Sequence, residues 1–359
     1  MTQQTGPGGI ATLVREEIER TIQRSRRGVD FVFDRGDPQV GTTPKDVVLE
    51  RETLRLYRYR PTADEVYRVP IVLVMSLVSK PYILDLSPGQ SLVEFLVREG
   101  FDVFMIDWGE PRQEDRGLRL DDYVLDFLPR CLERVQQTTG EADVTLVGYC
   151  MGGLFCLMYG GLFPDAPLRN LVCIATPVNF EGMGLFRRWC DPRWFDVDRI
   201  VDTMGNVPPE LVYRSFELLR PHQRFFSYAR LWDNLWSEEY VRYHRIFDKW
   251  ATDQVPIAGE TFRQFTKELM WDDKLLKGEL RLAGRLVETG RITCPVFHAM
   301  AEHDHIAPFE ATSPLSSLVG SEDKEDLVLK GGHVSLVAGK NAVMRLFPNL
   351  GGWLGARST

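Results

Sequence analysis

Cys150 stands among glycines in Gly148-Tyr149-Cys150-Met151-Gly152-Gly153, directly after the apolar run Val144-Thr145-Leu146-Val147 and directly before Leu154-Phe155-Cys156-Leu157-Met158. The pattern predicts a strand, a tight turn and a helix, with sulfur at the apex. A strand that turns abruptly into a helix leaves no room for Cβ atoms on either side of the central residue, which accounts for the glycines. The apex lies at a helix N-terminus, where free N–H groups and the helix dipole favour a thiolate and can hold an oxyanion. Sulfur in place of a hydroxyl oxygen points to thioester chemistry rather than ordinary ester hydrolysis. A cysteine between glycines also suits a buried small hydrophobe. The choice rests on whether a base and an acid accompany it.

The motif has the form of the Gly-x-Ser-x-Gly nucleophile elbow of α/β-hydrolases, with cysteine for serine, and that fold places nucleophile, acid and base in this chain order. Of six histidines, His333 follows a strand in Lys330-Gly331-Gly332-His333-Val334 and precedes the last helix, where the base is expected. The two glycines let its loop bend toward the elbow. The acid belongs after the preceding strand, in Ala301-Glu302-His303-Asp304-His305-Ile306-Ala307-Pro308. Asp304 is the expected orienting acid, accepting from one ring nitrogen of His333 and so fixing its tautomer; Glu302 is its competitor. His303, Asp304 and His305 also resemble metal ligands, but no fourth ligand stands at suitable spacing, so no metal is expected. An oxyanion hole needs two N–H donors, expected from the backbone of Met151 and of Val78, the latter on the loop after an earlier strand. Neither can be read from a side chain.

The elements that position these groups alternate. Strands are expected over residues 71–77, 101–107, 144–149, 171–175, 295–300 and 327–330, and helices over 90–99, 120–137, the stretch from Met151 to 162, 311–319 and 341–354. An antiparallel hairpin over 47–59 precedes them. Apolar strands alternating with helices mean a mostly parallel central sheet with helices on both faces. Residues 180–290 break the alternation, read as helical and hold six of the eight tryptophans (Trp189, Trp194, Trp232, Trp236, Trp250, Trp271). Such an insertion is expected to be a helical cap, with each indole packed in the cap core and the group forming an apolar roof. The domain division is therefore 1–45 (helix and linker), 46–179 (first part of the α/β-hydrolase core), 180–290 (cap) and 291–359 (second part of the core). Ile10, Leu13, Val14, Ile18 and Ile22 recur at helical spacing over 10–27, an amphipathic helix expected to pack on its own domain rather than serve as a docking arm.

Across 359 residues, 44% hydrophobic and 26% charged content describe an ordinary globular protein. A formal charge of −8 argues against nucleic acid as the partner. The longest apolar run, 71–78, is too short to span a bilayer, so no transmembrane segment is expected. The first residues lack the basic and apolar regions of a signal peptide, and the six cysteines show no paired spacing. Reduced thiols in a cytoplasmic protein are the expectation.

Several further segments extend the pattern: Ser79-Lys80-Pro81-Tyr82-Ile83-Leu84-Asp85-Leu86 with Ser91-Leu92-Val93, Val103-Phe104-Met105-Ile106-Asp107-Trp108-Gly109, Asp202-Thr203-Met204-Gly205-Asn206-Val207-Pro208 and Ala258-Gly259-Glu260-Thr261-Phe262-Arg263-Gln264-Phe265. Together with the elbow they resemble the polyhydroxyalkanoate (PHA) synthases, most closely the class III catalytic subunit (PhaC-type), over about residues 45–355. The resemblance implies an acyltransferase that moves 3-hydroxyacyl groups, 3-hydroxybutyryl first among them, from CoA thioesters to a growing polyester. Cys150 would be the acylated nucleophile, His333 the general base and Asp304 the acid. His305 matches a family histidine near the pocket. No cofactor is implied, since CoA is part of the substrate. A second, non-homologous subunit (PhaE-type) is implied as partner, along with the polyester granule surface; the oligomeric state is open, a homodimer included. Tyr149, with His305 a candidate pocket residue, is bulkier than its counterparts and Met151 replaces a glutamine; both departures leave the substrate preference open, not the nucleophile. Arg187, Arg188, Lys274 and Lys277 are candidates for holding the anionic CoA, though a solvated surface charge is the expected reading for each. The alternative is a cysteine-nucleophile hydrolase, a thioesterase or dienelactone-hydrolase-like enzyme, sharing the triad but delivering water.

Overall fold

The computed structural model describes residues 7–33, 38–63 and 65–359. The chain gathers into two compact units. One holds the N-terminal helix with Arg220–Thr252, and the other holds Val40–Leu219 with Asp253–Thr359.

In the larger unit an eight-stranded sheet runs in the order β1-β2-β4-β3-β5-β6-β9-β10. The strands are β1 (Lys45–Arg51), β2 (Leu54–Tyr59), β3 (Ile71–Val74), β4 (Val103–Asp107), β5 (Val144–Tyr149), β6 (Leu168–Ile174), β9 (Val296–Ala301) and β10 (Lys324–Leu329). Between β6 and β9 lies a separate small hairpin, β7 (Arg281–Leu282) with β8 (Arg285–Leu286). β1 and β2 pair antiparallel, as does β2 with β4; every other pairing in the large sheet is parallel. Every residue of β3, β5 and β9 is buried, as a parallel sheet covered on both faces requires. The helix Met151–Leu162 is itself buried along its whole length. β5, β9 and β10 end on the same side, so the loops after them share the carboxyl edge of the sheet, where ligands bind in open α/β folds.

The insertion between β6 and β9 is helical, as expected. Within the larger unit its parts are fastened to the core by polar contacts that pin backbone groups. Asn206 Nδ2 donates to the carbonyls of Pro111 (3.2 Å) and Arg112 (2.8 Å). Thr261 Oγ1 donates to the Leu118 carbonyl at 2.7 Å, and Gln264 Oε1 accepts from Leu120 N at 3.0 Å. Arg263 bridges Glu260, Asp198 and Asp202. Two of the family-like segments, 202–208 and 258–265, thus have structural duties.

In the smaller unit the N-terminal helix Pro7–Phe33 is longer than its sequence pattern indicated. It packs with the helices Gln223–Asn234 and Glu238–Thr252: Arg245 Nη2 donates to the Phe31 carbonyl at 3.2 Å, with its guanidinium 4.9 Å from the centre of the Phe31 ring. Of its apolar stripe, Ile18 and Ile22 are exposed, while the side chains of Ile10, Leu13 and Val14 fall outside those described. Residues 1–6, read for a signal peptide, and Gly36 in the linker also fall outside the described residues.

Three expectations change. None of the six insert tryptophans is buried; Trp194 and Trp232 are 63% and 59% exposed. Their indoles lie half-covered on helix and loop surfaces, where the N–H can reach a carbonyl, as Trp271 does with Cys190 and Trp194 with Arg188. The helix expected over 311–319 is two short pieces, Phe309–Thr312 and Leu315–Leu318, because Pro314 has no N–H to continue the first. The strand expected over 71–77 stops at Val74, which frees residues 75–78 to form a loop beside the elbow. Among the described residues no helix is long and apolar enough to cross a membrane.

Candidate active site

β5 runs into Cys150, and the helix begins at the next residue. Cys150 takes φ +55° and ψ −120°, a conformation that costs a non-glycine residue roughly 1–3 kcal/mol and survives only where the surroundings impose it. They do so by close packing. A Cβ on Gly152 would lie 1.9 Å from the Val74 carbonyl oxygen, and one on Gly148 would lie 2.4 Å from Cα of Gly153. The Cys150 N–H donates to the Ile174 carbonyl at 2.8 Å and its carbonyl accepts from Gly153 N at 3.0 Å, fixing the turn at both ends. Cys150 is half-buried. Burial pushes the thiols of Cys190 and Cys294 to about 11 and that of Cys131 to about 12, which keeps those three protonated near neutral pH.

The loops after β9 and β10 run side by side: Glu302 N donates to the Leu329 carbonyl and His303 N to the Gly331 carbonyl, both at 2.9 Å. Gly331, at φ +136°, makes the bend before the base. These contacts bring His333 Nδ1 to 2.7 Å from Asp304 Oδ2, with both residues buried. The other Asp304 oxygen accepts from the N–H groups of Ile306 (2.8 Å) and Ala307 (2.9 Å), so the carboxyl group is fixed in place and aimed. Burial alone would lower the His333 imidazole. The negative charges and hydrogen bonds of Asp304 and Cys150 together outweigh it and push the imidazole up to about 10. Both Asp304 and Cys150 therefore act on the His333 imidazole. Glu302 is instead 3.9 Å from His303, with both side chains exposed.

Met151 is the first residue of its helix, so no intrahelical carbonyl reaches its N–H. The Val78 N–H donates to Ser76 Oγ at 3.4 Å, a long contact. The loop carrying it is held from two sides. Trp108 Nε1 donates to the Met75 carbonyl at 2.9 Å. The returning end of the insertion lies along it: Val255 N donates to the Val78 carbonyl at 3.3 Å, Gln254 bridges Ser79, and Tyr82 donates its hydroxyl proton to Asp253 Oδ2 at 3.0 Å. Residues 253–255 escaped the sequence reading, because a strap joining positions more than 170 residues apart leaves no local pattern.

Tyr149 is buried against the base, and His305 is half-buried on the acid loop. The basic candidates for CoA are engaged locally: Arg187 with Glu181 at 3.0 Å, Lys274 with Asp272 and Glu268, and Lys277 with the Asp272 carbonyl. Arg188 is exposed.

Residues 78–339 match the family described as the alpha/beta hydrolase fold, and residues 12–96 match the poly-beta-hydroxybutyrate polymerase (PhaC) N-terminus. The chain is 37% identical over 335 residues to the poly(3-hydroxyalkanoate) polymerase subunit PhaC of Allochromatium vinosum, covering 92% of this chain and 94% of that one. It is 36% identical over 345 residues to the subunit of the same name from Haloferax mediterranei, covering 96% and 70%. Among solved structures, the monoacylglycerol lipase of Paleococcus ferrophilus aligns with a TM-score of 0.53 at 18% identity over 84% of this chain and 99% of that chain, a likeness of fold alone. Identity of this degree, along nearly the whole of both chains in the Allochromatium case, shows that this protein belongs to the PhaC family of poly(3-hydroxyalkanoate) polymerase subunits.

Proposed function

We propose that the protein polymerises 3-hydroxyacyl units, 3-hydroxybutyryl first among them, from CoA thioesters. The observation that carries this reading is a cysteine, not a serine, at a strained elbow on the same sheet edge as a buried His333–Asp304 pair, in a chain whose relatives are polymerase subunits. His333 takes the Cys150 proton. The sulfur attacks the thioester carbonyl, the bond from carbonyl to CoA sulfur breaks, and the proton leaves with CoA. Exchange of one thioester for another is nearly neutral in free energy, so the acyl group waits on the enzyme. His333 then accepts the proton of the 3-hydroxyl of an incoming unit, whose oxygen attacks the acyl carbonyl; an ester forms and the sulfur is released. The N–H groups of Met151 and Val78 would hold the oxyanion in both steps. Water is the competing acceptor, and the role proposed for the insertion over 180–290 is a cap that limits its access.

The same reading takes a PhaE-type second subunit as partner, with the granule surface in the cytoplasm as the working place and a homodimer as the other assembly to look for. Purified protein given 3-hydroxybutyryl-CoA, alone and with a co-expressed second subunit, should release CoA and leave insoluble polyester. CoA release with soluble 3-hydroxybutyrate as the only product would establish the hydrolase instead.

A further inference from the structure

Met151 heads its helix and Val78 lies on the loop after β3, so the two expected oxyanion donors belong to separate elements. One buried side chain touches both elements. β4 lies parallel beside β3, and their pairing stops at Val74 and Ile106. Two residues later Trp108 reaches across, and its Nε1 donates at 2.9 Å to the carbonyl of Met75, the first residue beyond β3. Its ring stands 5.7 Å from that of Phe155 at 85°, and Phe155 is one turn along the helix from Met151. Tyr123 closes the cluster, stacked on Phe155 at 5.8 Å and edge-on to the indole at 5.4 Å. The Trp108 backbone is held as well. Thr53 Oγ1 donates to its carbonyl at 3.0 Å, and Gly109 turns at φ +70°, where a Cβ would lie 2.2 Å from the Thr53 carbonyl oxygen.

We propose that Trp108 is a positioning residue whose indole sets the spacing and aim of the two N–H groups that hold the oxyanion. Such donors act only within about 2.7–3.1 Å of the oxygen, so a small displacement of either element costs rate. The ring cluster sets how closely loop and helix approach, but rings do not decide how a peptide is turned. The hydrogen bond to Met75 does. A peptide is planar, so fixing the Met75 carbonyl also fixes the N–H of Ser76 and limits the path of the two residues that follow. The Val78 N–H meets Ser76 Oγ at 3.4 Å, a contact long enough for an oxyanion to displace. The inference rests on the proposed function in taking Cys150 as the nucleophile and Met151 and Val78 as the donors.

The test compares two reactions of Cys150. Acylation by 3-hydroxybutyryl-CoA passes through an oxyanion. Alkylation by iodoacetamide, in which the sulfur displaces iodide from a saturated carbon, does not. Both are followed in single turnover on the peptide containing Cys150, with Cys150→Ala as blank. Trp108→Phe keeps a ring beside Phe155 and removes the N–H. Its acylation should be about tenfold slower, with the half-saturating substrate concentration unchanged and alkylation within about twofold of wild type. Thr53→Val frees the Trp108 carbonyl and leaves the ring cluster whole. It should show the same split at about threefold, which decides the matter where Trp108→Phe does not fold. Unchanged acylation would overturn the proposal. Equal slowing of both reactions would overturn it too, since the indole would then support the elbow as a whole. Acylation of Cys150 precedes polymer growth and hydrolysis alike. The split with free hydroxy acid as the only product would therefore sink the polymerase reading and leave this one standing, whereas no acylation of wild-type Cys150 would sink both.

Discussion

The 2.7 Å contact between His333 Nδ1 and Asp304 Oδ2 joins two buried side chains from adjacent loops, on opposite sides of the β9–β10 pairing. With two backbone N–H groups on its other oxygen, Asp304 can only accept at the imidazole. Nδ1 must therefore carry the proton, leaving Nε2 to take the one on Cys150. Asp304→Asn replaces that acceptor with an amide that favours the wrong tautomer. CoA release should fall about 10³–10⁴-fold. Glu302→Gln, at an exposed side chain, should change it less than twofold. Steady-state assays of both variants check the assignment.

Stability should depend on pH through the same pair. The folded pKa of His333, about 10, lies above its ordinary 6.5, so over that interval the folded state binds more protons than the unfolded one. The stabilisation is fully present below pH 6.5 and is lost as pH rises toward 10. Asp304→Asn and Cys150→Ala each remove a charge that raises the imidazole, so each should narrow this window from its alkaline side. Thermal midpoints across the pH range for the three proteins measure it.

Packing at the elbow predicts intolerance to a single methyl group. Gly152→Ala would set a Cβ 1.9 Å from the Val74 carbonyl oxygen, on a rigid strand that cannot retreat. The expected cost is roughly 3 kcal/mol, read from denaturant midpoints. Gly117→Ala, where nothing lies within 4 Å of the added carbon, is the control.

The strap over residues 253–255 predicts an effect on rate from outside the reacting groups. Tyr82→Phe removes the hydroxyl that holds Asp253 and loosens the loop bearing Val78. If that loop supplies an oxyanion donor, kcat should fall about tenfold with little change in KM, since the donor matters most in the transition state. A rise in KM alone would assign the strap to substrate binding.

Much of the site could be read from sequence because it is built from local patterns. Val144–Tyr149 and the helix Met151–Leu162 have the bounds expected of them, since an apolar run, two glycines and a second apolar run leave one arrangement. Asp304 and His333 followed from their places after strands. What escaped was set by tertiary context. The helix Gln223–Asn234 leaves Phe225 and Phe226 exposed, so its pattern does not mark a buried face. The insert tryptophans were expected inside and lie at surfaces, because composition cannot tell an indole that fills a core from one that covers it. The two residues of β7 and of β8 are too few for an alternation to show. Pro314 is a different case, a visible helix stop that was passed over in favour of the apolar spacing around it.

The central claim is that Cys150 carries the acyl group. Rapid mixing of the protein with 3-hydroxybutyryl-CoA, acid quenching and peptide mass spectrometry should find 3-hydroxybutyryl, and longer oligomers of it, as thioesters on the peptide containing Cys150. The Cys150→Ala protein should show no adduct and release no CoA. Full CoA release by Cys150→Ala, or acylation at another cysteine, would contradict the account.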